Sequence, residues 1–249
     1  TAFYRADAIL SRPGDEANMV AERFSRGLGA AGHDQTSIWT DNWSLTLCDP
    51  QNFTLDLPLN DTPVSLMLSL NAPRQQDPDG TTPIRGYSLP RAAVTGQIGD
   101  QSVTGTAWFD HFWGEVPLPG GPLAYDRLIL HLDDGSALTL LRSRRRDGAG
   151  IATLDGALIG PDGQGTSLDD QAVDLMPTAN WSSEDEAGRD PVAWRLAGAG
   201  LILDIAPFRD DQRAPFLAPI WSGGVTVTGT KDGQPVTGTG ILQLSGYEE

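Results

Sequence analysis

The chain has 249 residues, and its 33 Asp and Glu against 17 Lys and Arg leave a formal charge of −16. So acidic a chain lacks the cations that neutralise phosphates, which argues against a nucleic-acid partner. No run approaches the roughly 18 apolar residues of a membrane helix, so a soluble protein without stable membrane insertion is expected.

Read in order, the hydrophobic period is that of short strands, and 29 Gly and 18 Pro spread along the chain supply the turns between them. Thr1–Leu10 reads as a strand and Pro13-Gly14-Asp15 as a turn. Ala17–Phe24 has the composition of one or two helical turns. Gly32-His33-Asp34 is a loop. Ile38–Leu45 then alternates, and Trp39 and Trp43, an even number of residues apart, are expected on one face of one strand. Phe53 to Leu59 and Val64 to Leu70 continue the alternation, and Arg74–Pro83 is a polar loop.

A hairpin is written twice. Val94-Thr95-Gly96, Gln101 and Val103-Thr104-Gly105-Thr106 recur 133 residues later (94 to 227, 103 to 236) as Val227-Thr228-Gly229, Gln234 and Val236-Thr237-Gly238-Thr239. Between the copies, Leu123–Asp133, the Asp133-Asp134-Gly135 turn and Leu138–Ser143 predict another hairpin. Ala152–Ile159 reads as a strand, Ser182–Asp190 as an acidic loop, and Val192–Leu196 and Leu201–Ile205 as strands. The expected fold is all-β, with about 14 to 16 strands in two tandem lipocalin-like antiparallel barrel or sandwich units. The expected domains are 1–116 and 117–249, with the boundary in Gly114–Pro122.

The first hairpin copy runs into Trp108-Phe109-Asp110-His111-Phe112-Trp113, a cluster of aromatics and titratable groups found nowhere else in the chain. Alternation puts Val103, Gly105, Ala107, Phe109, His111 and Trp113 on one face, expected inward, and Trp108, Asp110 and Phe112 on the other. Asp110 and His111 then point apart and form no dyad unless a bulge intervenes. Asp126 shares a face with Leu128, Leu130 and Leu132. Burial among leucines raises a carboxyl pKa, which makes Asp126 the first candidate for a general acid; the alternative is a structural acid paired with an arginine or capping backbone amides. His111 is read as a proton relay or as a core histidine. Trp108, Trp113, Tyr125, Phe109 and Trp39 are candidate lining residues of an apolar cavity, their ring faces suited to a carbocation; the alternative is ordinary core.

Other chemistries find no support. There is no Gly-x-Ser-x-Gly elbow, and Cys48 has no nearby His. His33, His111 and His131 lack metal-ligand spacing, so neither metal nor cofactor is expected. Arg142–Arg146, the one basic cluster, reads as a solvated strand end rather than an anion site. A lone cysteine forms no internal disulfide and leaves the redox compartment open, so cytoplasmic, periplasmic and secreted placements all stand.

Gly105–Gly114, with Glu22–Gly27, Ile38–Trp43, Tyr125-Asp126, Leu132–Gly135 and Gly238–Tyr247, resembles the carotenoid 1,2-hydratase and AttH-like family. The resemblance covers nearly the whole chain and implies two lipocalin-like units. Similar proteins hydrate isolated double bonds of carotenoids, hydrate prenylated phenolics or close rings in polyenes. The family's opening Trp-Trp-Tyr strand and Phe-rich partner strand do not precede Thr1. The resemblance therefore implies a first unit short of strands, its edges covered by a missing segment or a second copy. Where the carotenoid hydratases carry a Tyr and an Asp, this chain reads Leu138-Thr139-Leu140-Leu141-Arg142. The favoured expectation is acid-assisted hydration or cyclisation of a hydrophobic terpenoid, polyene or prenylated molecule. Alternatives are a carrier of a lipophilic ligand and a structural β protein with a filled interior.

Overall fold

The computed structural model describes residues 2–69, 75–76, 84–114, 123–183 and 188–247. Among them every regular element is a strand, and no helix is long and apolar enough to cross a membrane. The chain divides into unit 1, Thr1–Ile9 with Met19–Val116, and unit 2, Leu10–Asn18 with Pro117–Glu249. Apart from Gly114, the expected boundary segment Gly114–Pro122 lies outside the described residues, as does most of the Arg74–Pro83 loop.

Unit 1 opens with β1 (Phe3–Leu10) and β2 (Met19–Arg26), which form a two-stranded sheet. The helical turns expected over Ala17–Phe24 are replaced by β2. Helix propensity is a weak local preference, and pairing with β1 offers the same backbone groups a complete ladder. An antiparallel sheet follows, built from β3 (Ala31–His33), β4 (Ser37–Thr40), β5 (Trp43–Asp49), β6 (Asn52–Leu59), β7 (Thr62–Ser69), β8 (Gln75–Gln76), β9 (Ile84–Ile98) and β10 (Gln101–Gly114). Its order is β10-β9-β7-β6-β5-β4-β3, with β8 beside β9.

Two of its hairpins turn on single left-handed residues, Asp41 (φ 53°) and Asn60 (φ 55°), types that tolerate this conformation. The Asp41 turn corrects the expected placement of the tryptophans. Thr40 pairs with Trp43 and Trp39 with Ser44, so the two rings sit on different strands and opposite faces. Trp43 is buried; Trp39 lies over Gly32, where a Cβ would come within 2.8 Å of its ring.

The inward face of this sheet is apolar but incompletely covered. Leu59, Val64, Leu68 and Leu89 are buried, whereas Leu45, Leu47, Phe53, Leu55 and Leu57 are only half-buried. Unit 2 differs. Its strands are β11 (Leu123–Leu132), β12 (Ala137–Arg145), β13 (Thr153–Ile159), β14 (Gly165–Asp169), β15 (Val173–Trp181), β16 (Asp190–Gly198), β17 (Leu201–Pro207), β18 (Arg213–Ala214), β19 (Ile220–Lys231) and β20 (Gln234–Leu244). The order β14-β13-β12-β11-β20-β19-β17-β16-β15 joins its first strand to its last. Leu168 and Val173, on the two end strands, share one core with Leu128, Leu140, Trp194, Leu203, Trp221 and Leu242. The sheet is therefore curled on itself and filled by its own side chains.

The duplicated hairpin is duplicated in register. Val103 opposes Gly96 in unit 1 and Val236 opposes Gly229 in unit 2. Each glycine lies against the next strand, where a Cβ would fall 2.2 Å from Ser65 O or 2.0 Å from Ile202 O. Segment 10–18 is tied into unit 2 by polar contacts to a buried glutamine. Ser11 Oγ donates to Gln212 Oε1 (2.6 Å) and Asn18 Nδ2 to Ser222 O (3.0 Å).

Candidate functional site

Two constellations carry chemistry, one in each unit. In unit 1, Ala107 pairs with Ala92 and Phe109 with Leu89, so Pro90 and Arg91 together oppose Trp108. This bulge sits on β9, where a proline without an N–H does least harm to the ladder. β10 keeps its own alternation, and Asp110 and His111 stay on opposite faces. Asp110 Oδ1 accepts from Ser88 Oγ (2.5 Å) and Trp108 Nε1 (2.6 Å), which occupies the Trp108 indole on the face away from His111.

The other face carries the rings. Phe109 stacks on Phe53 with centroids 5.3 Å apart and lies 6.2 Å from Tyr87. Tyr87 meets His111 edge-on at 5.5 Å, and His111 lies 5.0 Å from Trp113. Phe109 and Leu89 mark the covered part of this face. Beyond them His111 and Trp113 are exposed, Trp113 by 50%. The inward placement expected for this face thus holds only in part: Val103, Ala107 and Phe109 are half-buried, whereas Gly105, His111 and Trp113 are exposed, the last two because β10 there outruns the core that would cover it. Trp39 gives its Nε1–H to Gly29 O (3.1 Å).

In unit 2, Asp126 is 1% exposed on the face of β11 that bears Leu128, Leu130 and Leu132. It is not alone among leucines. Arg142, directly across on β12, donates through Nη1 to Oδ2 at 2.8 Å, and Arg144 Nη2 lies 3.7 Å from Oδ1. The solvated strand end expected at Arg142–Arg146 is corrected accordingly. Arg142 and Arg144 turn inward and Arg145 turns out to Asp147 (2.5 Å). Arg144 Nη2 also donates to Ser245 O (2.8 Å), and its guanidinium lies 3.8 Å above the Tyr247 ring. Burial, with the Asp126 charge behind it, pushes the Tyr247 phenol up to about 12.

A second ion pair joins Asp190 to Arg213 (2.6 Å), whose guanidinium lies 5.3 Å over Trp181. Gly188 lies beside both groups: a Cβ there would meet Tyr247 O at 2.0 Å and Arg213 Nη2 at 3.1 Å. Tyr125 is half-buried on the face of β11 opposite Asp126. The inward turn of Arg142 and Arg144 and the place of Tyr247 beside them escaped the sequence reading, yet residues 138, 140, 142 and 144 share one parity, which the buried Leu138 and Leu140 mark as inward. Among the described residues no three His, Cys, Asp or Glu side chains converge as a metal site would require.

Two antiparallel β units, without a helix among the described residues, one filled and one with a partly open apolar face, define a lipocalin-like β protein. Residues 1–247 match the AttH-like family, and the chain belongs to it. It is similar to the crystal structure of a chain described as AttH from Nitrosomonas europaea, with TM-score 0.86 and 26% identity over 99% of this chain and 81% of that one. It also shares the fold of kievitone hydratase from Nectria haematococca, with TM-score 0.73 and 14% identity over 98% of this chain and 83% of that one. Among curated proteins none matches.

Proposed function

We propose that this protein is a hydratase-type enzyme acting on a hydrophobic terpenoid, polyene or prenylated small molecule by acid-assisted chemistry at a C=C bond. The observation that carries the reading is the half-open apolar face of unit 1, which ends in the Tyr87, His111 and Trp113 rings while the interior of unit 2 is filled. An apolar surface left uncovered beside a few polar groups is what a small-molecule site offers. The hydratase fold neighbour supports the reaction class.

A proton added to one alkene carbon leaves a cation on the more substituted carbon. Water then adds its oxygen there and gives its surplus proton to a base, yielding an alcohol. In cyclisation a second double bond attacks instead, and a proton leaves the ring. Aromatic faces such as Trp113 and Tyr87 stabilise either cation, and folding the chain of the substrate into a reactive shape lowers the barrier further. His111 and Asp126 are the proton-handling candidates, one in each unit, with Asp110 as a third catalytic candidate; Trp108, Phe109, Tyr125 and Trp39 are assigned to substrate binding. A second reading, a non-catalytic lipophile carrier, draws on the two arginines beside Asp126, which give that carboxylate the surroundings of a structural ion pair.

Incubating a panel of terpenoids, polyenes and prenylated phenolics with the protein in heavy water, followed by mass spectrometry, tests the assignment. A product heavier by one heavy-water unit marks a hydratase, and an isomeric product marks a cyclase. Asp126→Asn and His111→Ala are then expected to lower turnover by about 100-fold for whichever group moves the proton, with ligand binding retained. Ligand bound but unchanged across the panel would replace the enzyme by the carrier.

A further inference from the structure

Among the described residues β1 and β2 are hydrogen-bonded as strands only to each other. A two-stranded sheet has little stability of its own in water, so this one is held by what it lies on. β2 lies against β4 and β6, Ala21 is buried, and the Arg23 guanidinium sits 5.0 Å over the Trp43 ring. Trp43 shares the inward face of unit 1 with the half-buried Leu45 and Leu47 of its own strand. The pair therefore covers one end of the apolar face. Its other side carries Phe3 and Phe24, stacked at 5.8 Å, and the Arg5–Glu22 ion pair.

Two connections restrain the pair. The chain passes from β2 to β3 through residues 27–30, where Gly29 is left-handed (φ 95°), a short turn suited to a hinge. β1 passes to β2 through Leu10–Asn18, a segment that belongs to unit 2. Its ends are bonded there while residues 13–17 are exposed. The anchor is polar. Gln212, 1% exposed, accepts on Oε1 from Ser11 Oγ and from Gly224 N–H (3.1 Å), and donates through Nε2 to Gly224 O (3.0 Å). The amide fits because Gly223 has no side chain; a Cβ there would fall 2.0 Å from Oε1. Arg209 Nη2 donates to Asn18 Oδ1. A segment held by hydrogen bonds at its ends, with its middle in water, opens more readily than a core does.

We propose that the β1–β2 pair is a lid on the apolar face of unit 1 and that the Ser11–Gln212–Asn18 network of unit 2 is the latch that holds it closed. Breaking the latch frees the connection between β1 and β2, and the pair then swings or frays about residues 27–30. That the lid admits a ligand rests on the function proposed for this face; that it is latched does not.

Hydrogen exchange of the full chain read by mass spectrometry, with stopped-flow binding of the neutral dye Nile red, tests this. Ser11→Ala combined with Asn18→Ala removes the segment's side of the latch and leaves the bonds between Gln212 and Gly224 in place. Exchange in β1 and β2 is expected to rise about tenfold, the scale of one hydrogen bond, with β11–β13 unchanged, and Nile red is expected to enter several-fold faster. Gln212→Ala should do the same from the other side; should it fail to fold, the double variant decides. Unchanged exchange in β1 and β2, or a rise confined to residues 208–213 and β19, would overturn the latch. Dye that binds unit 1 at the same rate with and without the latch would overturn the lid. Dye taken up by no variant, with exchange in β1 and β2 still raised, would keep the latch and remove the apolar site assigned to unit 1.

Discussion

At the residue scale the informative group is Tyr247. Its phenol is held protonated by burial first and by the Asp126 charge second, which places its titration at about 12 rather than at the ordinary 10. The folded state then binds the proton more tightly than the unfolded state does. Stability from this group is complete below pH 10 and is lost as pH climbs through about 12. Ultraviolet titration of the four tyrosines should show one ionising last, and Tyr247→Phe should delete that step and flatten the alkaline loss of stability. Ionisation of all four together near pH 10 would contradict the burial of Tyr247.

At the element scale the repeated hairpin is a natural experiment. Gly105 and Gly238 occupy equivalent places on β10 and β20, yet their surroundings differ. β20 lies between β19 and β11, and a Cβ on Gly238 would fall 2.4 Å from His131 O. β10 ends its sheet among the described residues, and a Cβ on Gly105 would meet nothing within 4 Å. Gly238→Ala is therefore expected to cost about 2 kcal/mol or more, since a backbone carbonyl must move, while Gly105→Ala is near neutral. Urea denaturation of the two variants checks the contrast, and equal losses would deny that the copies differ in environment. The same sequence unit thus serves as a central strand in one place and an outer strand in the other.

At the scale of the whole molecule the two units differ in how well they are filled. Unit 2 holds a continuous core that includes two buried tryptophans, Trp194 and Trp221, whereas the apolar face of unit 1 is largely half-buried. Local opening follows buried contact density. Hydrogen exchange read by mass spectrometry should therefore show β5–β7 exchanging before β16, β17 and β19, and a bound apolar ligand should slow the first group selectively. Uniform exchange, or ligand protection confined to unit 2, would place the open apolar surface elsewhere.

Much was legible in the sequence because strand periodicity is local. The all-β class, the duplicated hairpin, the Asp133–Gly135 turn and the shared face of Asp126 with Leu128 and Leu130 follow from residues a few positions apart. The family motif was legible for the same reason. What only the tertiary structure decided depends on partners distant in the chain or on how far a core extends. Ala17–Phe24 became mostly strand because β1 was there to pair with it, and Trp39 parted from Trp43 at one left-handed residue. His111 became exposed because β10 runs past the core of unit 1. Asp126 acquired two arginines and Tyr247, the last of them 121 residues away (126 to 247), because β11 pairs with both β12 and β20. Alternation tells which face a side chain takes; only the assembled sheet tells what waits there.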